Sequence, residues 1–178
     1  MGQLLVSDVK CESGIHYLSI TDLDEKAEKK LKTVSSRRKV PLHPELIRIG
    51  FLEYVEKMRK RGALYLFPDL RPDRHGRRTG NWGKWWGRYR REQIGITGRL
   101  KPFHSTRHSF RDACREAEID EEIADALMGH EEKDKTGRSY GSGYSLKALY
   151  RAICRIEYPG VKIPIIVAKG TGGVVNKD

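Results

Sequence analysis

His104-Ser105-Thr106-Arg107-His108, then Gly129-His130, then Tyr140 are the residues of this chain best suited to chemistry. A guanidinium is always charged and can give a phosphate two parallel hydrogen bonds. Imidazoles accept and hand on protons near neutral pH. A phenol, with a pKa of about 10, is protonated at neutral pH and needs a base or a positive field before it can attack. Together they suit attack on a phosphodiester, where the protein mainly positions groups and neutralises developing charge. Arg107 falls in the first turn of an expected helix, where the dipole also favours an anion. Lys32, beside the turn Val34-Ser35-Ser36-Arg37, could protonate the leaving oxygen as a general acid. Taken singly, each has a plainer reading: an exposed arginine, one tyrosine among eight, one lysine in a solvated run.

These residues need a scaffold, and the patterning predicts an α+β fold, mainly α, with a small antiparallel three-stranded sheet near the N-terminus. Leu4 to Asp8 reads as a helix end entering a turn. The strands are placed at Ile15–Thr21, Leu31–Thr33 and Arg38–Leu42, with Pro41 marking a short or edge strand. The charged run Asp22 to Lys30 is expected to be solvated. One helix is expected from His43 to Gly62, with Leu46, Ile49, Phe51, Leu52, Val55 and Met58 inward. Leu64 to Pro68 is extended, and Pro72 to Gly80 is a loop. Asn81 is placed as N-cap of a helix bearing Trp82, Trp85, Trp86 and Tyr89. Further helices are expected at Thr106–Ala117, Glu121–Met128 (capped by Asp120 and stopped by Gly129) and Leu146–Ile156. Ile163 to Ala168 could form an edge strand, ahead of a glycine-rich end.

The 178 residues carry a net charge of +11, with 38% hydrophobic and 33% charged residues. Such a charge bears on partners rather than fold, and it favours nucleic acid or an acidic surface. No run of about 18 apolar residues exists, so no membrane partner is expected. The N-terminus lacks the features of a signal peptide. Cys11, Cys114 and Cys154 are too few and too widely spaced for a disulfide or zinc framework. Cys114 and Cys154 read as core thiols, and a reducing, cytoplasmic setting fits. No metal or cofactor is expected.

From Arg71 to Lys101 there are ten Lys or Arg and two acids. Trp82, Trp85, Trp86 and Tyr89 interleave with them, as in a phosphate-tracking stripe with stacking aromatics. The preferred reading buries Trp85 and Trp86 in the core and leaves the cations outside. Arg37, Arg38, Arg74, Arg77, Arg78, Lys84 and Arg88 are the candidate DNA contacts, mostly independent of sequence.

The ordered set Lys32-Thr33, Arg37-Arg38-Lys39-Val40-Pro41-Leu42, Phe103 to Phe110, Leu127-Met128-Gly129-His130 and Tyr140 to Tyr144 resembles the catalytic domain of tyrosine recombinases, or phage integrases. The resemblance spans roughly residues 4 to 160. It implies a fold of the DNA breaking-rejoining type and site-specific recombination of double-stranded DNA, in a bacterial or phage-encoded protein. Arg107 would clamp the scissile phosphate. His104 and His130 would bind it or assist proton transfer, Lys32 would be the general acid, and Tyr140 would form a 3′-phosphotyrosyl intermediate. The ester keeps the bond energy, so neither ATP nor a metal is required. Spacing from Gly129-His130 favours Tyr140 over Tyr144, which is expected to pack at the start of the last helix.

The family uses one more arginine, in a segment whose end matches Leu4-Leu5-Val6-Ser7-Asp8. Residues 1–160 are therefore expected to be a catalytic domain lacking its first segment, weak or inactive alone. Residues 161–178 form a tail that could dock in cis or on a neighbour, and the family implies a homo-tetramer on DNA, compatible with a monomer in solution. Two rivals remain. His104, His108 and His130 could form a three-histidine metal site of a hydrolase, although Ser105 stands where a metalloprotease has Glu. Alternatively, the chain is a non-catalytic DNA-binding remnant or a regulator of a full-length recombinase.

Overall fold

The computed structural model describes residues 2–23, 29, 31, 33, 36–76, 78–97, 103, 105–130 and 143–165. It is α+β and mainly helical, with one three-stranded antiparallel sheet. The strands are β1 (Val9–Glu12), β2 (Ile15–Ile20) and β3 (Arg38–Pro41), in that order across the sheet. Val9 pairs with Leu18 and Glu12 with Ile15, so only Ser13 and Gly14 make the hairpin turn. Both have positive φ, 51° and 78°, the turn whose twist matches the flanking strands. The strand expected at Leu31–Thr33 is therefore replaced by β1; Leu31 and Thr33 lie outside the sheet. Pro41 ends the edge strand β3, as its missing N–H requires.

A 3-10 turn at Val6–Asp8 precedes β1. Val6 N donates to Leu64 O at 3.1 Å and Leu66 N to Leu4 O at 2.8 Å, tying the N-terminus to the extended segment after the second helix. The core here joins Leu4, Val6, Val9, Leu42, Val55, Met58 and Leu66. Asp8 lies buried at its edge, accepting from Leu5 N and from Lys29 Nζ, each at 2.8 Å. Lys29 was expected in solvent; instead its ammonium is buried on Asp8.

The helix expected from His43 to Gly62 is two: α1 (Pro44–Arg48) and α2 (Phe51–Lys60). Gly50, at φ 96°, makes the break that a side chain would resist. His43 caps α1, its Nδ1 accepting from Glu45 N at 3.1 Å. Nε2 then carries the ring hydrogen and donates to Ile156 O at 3.0 Å, joining α1 to the segment that follows the last helix.

Helix α3 (Gly80–Glu92) starts one residue before Asn81, so Thr79, not Asn81, is its N-cap. Trp82, Trp85, Trp86 and Tyr89 fall at helical spacing on one face and stack, with centroids 4.8 Å apart for Trp82–Trp85 and 5.1 Å for Trp85–Tyr89. Phe103 meets Trp82 and Trp86 edge-on. No residue of α3 is buried, and Trp85 is 43% exposed. The expectation that Trp85 and Trp86 enter the core is thus overturned: the rings cover one another.

Helices α4 (Ser105–Glu116), α5 (Glu121–Met128) and α6 (Leu146–Ile153) form the second core, of Ala113, Cys114, Ile119, Ala124, Ala152, Ile153 and Ile156. Ser145 caps α6, accepting from Ala148 N at 3.2 Å. The helix stops three residues short of the expected Ile156, which stays in the core. Burial pushes the Cys114 thiol up, whereas Cys154, expected inside, is exposed. Ile163 to Ile165 are exposed and not in a strand, although Arg48 Nη2 donates to Ile163 O at 2.8 Å. The rest of that expected strand lies outside the described residues. No helix among the described residues is long and apolar enough to cross a membrane.

Candidate functional site

Arg107 stands in the first turn of α4, but its guanidinium does not stay at that helix start. Nη2 reaches the far end of α5 and donates to Met128 O at 2.9 Å. The C-terminal carbonyls of a helix carry partial negative charge, so a cation is well placed there. Gly129 ends α5 in the left-handed region, φ 67°. The chain thereby turns back, and His130 N donates to Asp125 O at 3.0 Å.

His130 is exposed, and its Nδ1 lies 3.0 Å from Asp125 Oδ1. Arg111, one turn after Arg107 on α4, donates to the same carboxylate oxygen and also to Glu121. Burial alone would raise the Asp125 carboxyl, but the hydrogen bonds from Arg111 and His130 outweigh it and hold it below the ordinary aspartate value. An ionised carboxylate only accepts, so His130 Nδ1 carries the hydrogen. Nε2 is left as the nitrogen able to accept or pass a proton, provided the ring is neutral. The Asp125 pairing also pushes the Arg111 guanidinium up.

Arg38 enters from β3. Its Nε donates to Leu127 O at 3.0 Å and its Nη1 to Ser36 O at 2.8 Å. It is half-buried over Gly129: a Cβ on that glycine would lie 2.5 Å from Arg38 Nη1. Burial first, and the charge of Arg107 second, push the Arg38 guanidinium down.

Of the five expected catalytic residues, the structure thus brings Arg107 and His130 to one helix end. Lys32, His104 and Tyr140 lie outside the described residues, as does Arg77 among the expected DNA contacts. Tyr144 is 39% exposed and donates to Glu122 Oε2 at 2.9 Å, tying the start of α6 to α5.

The other expected DNA contacts separate into two kinds. Lys84 and Arg88 are exposed on α3, and Arg74 is exposed with Nε against His75 Nε2 at 3.0 Å. Arg37 is paired with Asp22 at 2.6 Å. Arg38 and Arg78, expected on the DNA face, also donate to carbonyls of the fold. Arg78 donates to Leu70 O at 3.1 Å and lies 3.4 Å over the Tyr65 ring.

Reading by residue type alone missed Asp125 and Arg111. The signal was present: Arg111 is four residues after Arg107 and shares its helix face, and Asp125 is one turn before Gly129. Among the described residues, no group of three His, Cys, Asp or Glu is arranged to hold a metal ion. Comparison of the chain with protein-family models, with curated proteins and with solved structures finds no match.

Proposed function

We propose that the chain is the catalytic domain of a tyrosine-type site-specific DNA recombinase, with a fold of the DNA breaking-rejoining type. One observation carries the proposal: Arg107 and His130, 23 residues apart, are both held at the C-terminal end of α5, Arg107 on Met128 O and His130 on Asp125. A guanidinium and an imidazole held at one helix end suit a phosphodiester in the act of exchange. The resemblance supplies the remaining parts.

In the proposed reaction the Tyr140 phenol oxygen attacks phosphorus and the bond to the DNA 5′-oxygen breaks. That oxygen takes a proton from Lys32. A 3′-phosphotyrosyl ester remains, and attack by a 5′-hydroxyl later reverses it, restoring the phenol. Arg107 balances charge on the non-bridging oxygens, while His104 and His130 hydrogen-bond them or move the phenol proton. No redox step, ATP or metal enters this balance. Lys84, Arg88 and Arg74 would follow the duplex backbone, making binding strongly salt-dependent. Four protomers would assemble on DNA.

The test is capture of a denaturant-resistant protein–DNA adduct from a pool of nicked duplexes of random sequence. The expected result is an adduct from the wild-type chain, lost in Tyr140→Phe and reduced by about 100-fold or more in Arg107→Ala, the scale for removing one donor to transition-state charge. An adduct that survives Tyr140→Phe would overturn the choice of nucleophile. Duplex binding with no adduct would leave a non-catalytic DNA-binding protein.

A further inference from the structure

Arg38 and Arg107 reach one place from distant parts of the chain. They donate to consecutive carbonyls, Leu127 O at 3.0 Å and Met128 O at 2.9 Å. Both side chains are half-buried, so both retain a path to solvent. Among the described residues neither has a carboxylate partner. The carboxylates nearest in the network are engaged elsewhere: Asp125 by Arg111 and His130, Glu121 by Arg111.

Two like charges held together in partly desolvated surroundings oppose one another. The carbonyl end of α5 offsets this only in part, since a helix terminus amounts to about half an elementary charge. Among the described residues the hydrogen-bond inventory is also unfilled. Arg38 has committed Nε and Nη1, leaving Nη2; Arg107 has committed Nη2, leaving Nε and Nη1. Gly129 contributes by lacking a side chain, because any Cβ there would displace the Arg38 guanidinium.

We propose that Arg38 and Arg107 form a two-guanidinium seat for a single phosphate-type oxyanion above Gly129. A phosphate group supplies the missing negative charge and presents enough acceptor oxygens for both forks. As an oxyanion site the seat stands on these contacts; as a seat for a DNA phosphate it rests on the function proposed above. Arg38 then has two tasks: it ties β3 to α5 through carbonyls, and it turns its remaining donor toward the anion.

Inorganic phosphate, titrated into the full chain, is the first probe. In wild-type protein the arginine Nε–Hε resonances of both Arg38 and Arg107 are expected to shift along one saturation curve. Arg38→Gln and Arg107→Gln are each expected to weaken phosphate binding by about tenfold or more, the scale of a charge-assisted hydrogen bond. The double variant should lose less than the product of the two, because one anion couples them. Arg115→Gln, on an exposed part of α4, should leave binding unchanged.

A shift of Arg107 alone, or unchanged phosphate binding in Arg38→Gln, would overturn the seat and leave Arg38 as a cap on α5. Should Arg38→Gln fail to fold, Arg38→Lys and the wild-type resonances decide. The DNA arm separates the two proposals. Joint phosphate shifts without any Tyr140-dependent adduct would keep the seat, as a site for free phosphate, and sink the recombinase reading. A normal adduct from Arg38→Gln would keep that reading and overturn the seat as a place for the DNA phosphate.

Discussion

The two cores of this molecule are built on different plans. Around the sheet, large aliphatic side chains fill the space, and Leu5, Leu66, Leu42 and Val55 are completely or almost completely buried. Between α4, α5 and α6, the small residues Ala113, Cys114, Ala124 and Ala152 share the core with Ile119, Ile153 and Ile156. The first plan takes its stability from apolar volume and uses one buried ion pair, Asp8–Lys29, at its margin. The second leaves room for arginine side chains to cross from one helix to another, as Arg107 and Arg111 do. The candidate site therefore lies on the second plan, with Arg38 brought to it by the first.

The largest losses are expected from truncating the first core and enlarging the second. Leu66→Ala removes a side chain with no exposed surface, and a loss of about 2–5 kcal/mol is expected in urea unfolding. Ala124→Leu forces volume between helices that meet at an alanine 2% exposed, with an expected cost of about 1–3 kcal/mol. If Ala124→Leu is absorbed without loss, the helical core is looser than the burial of Ala124 implies.

Gly129→Ala tests the join. It places a Cβ at φ 67° and against Arg38, so about 1–2 kcal/mol of stability should be lost. Phosphate affinity should fall with it, because the Arg38 guanidinium must move. A stable Gly129→Ala protein with unchanged phosphate affinity would separate the helix end from the anion seat.

The smallest effect on stability is expected from Asp125→Asn, measured as thermal unfolding against pH. The folded Asp125 carboxyl sits below its ordinary value, so its contribution is present at neutral pH and above. It is lost as pH falls through the folded pKa, which places the window below about pH 4. Wild type should therefore lose stability more steeply than Asp125→Asn in that range. Adduct formation should fall in Asp125→Asn even at neutral pH, since a neutral amide oxygen orients His130 less strongly than the carboxylate does. An unaltered adduct rate would make the Asp125–His130 contact purely structural.

Much of the helical scaffold was legible because periodic apolar residues and end signals agreed. Gly129 stops α5 as its type suggests, and α4 and α6 begin within a residue of where their patterns start. The errors arose where local signals were weak or a distant partner decided. Val9-Lys10-Cys11-Glu12 is a short and mixed run, and it becomes a strand because Ser13-Gly14 folds it back on β2. The tryptophans looked like core by type, but they cover one another on an exposed helix face. Arg107 and His130 were recognisable by type and spacing. Arg38 was not recognisable as their neighbour, because a basic run beside a turn looks the same whether it meets solvent or a helix end.

The sequence by itself determined the chemical vocabulary of this protein. It set the excess of positive charge, the helical segments around Arg107 and His130, and the glycine that ends α5, since these depend on residue type and near neighbours. Only the tertiary structure decided that Arg38 crosses from β3 to Leu127 O, that Asp125 holds His130, and that Lys29 is buried on Asp8. Those outcomes depend on contacts between residues distant in the chain, and such contacts form only when packing brings a specific donor within reach of a specific acceptor.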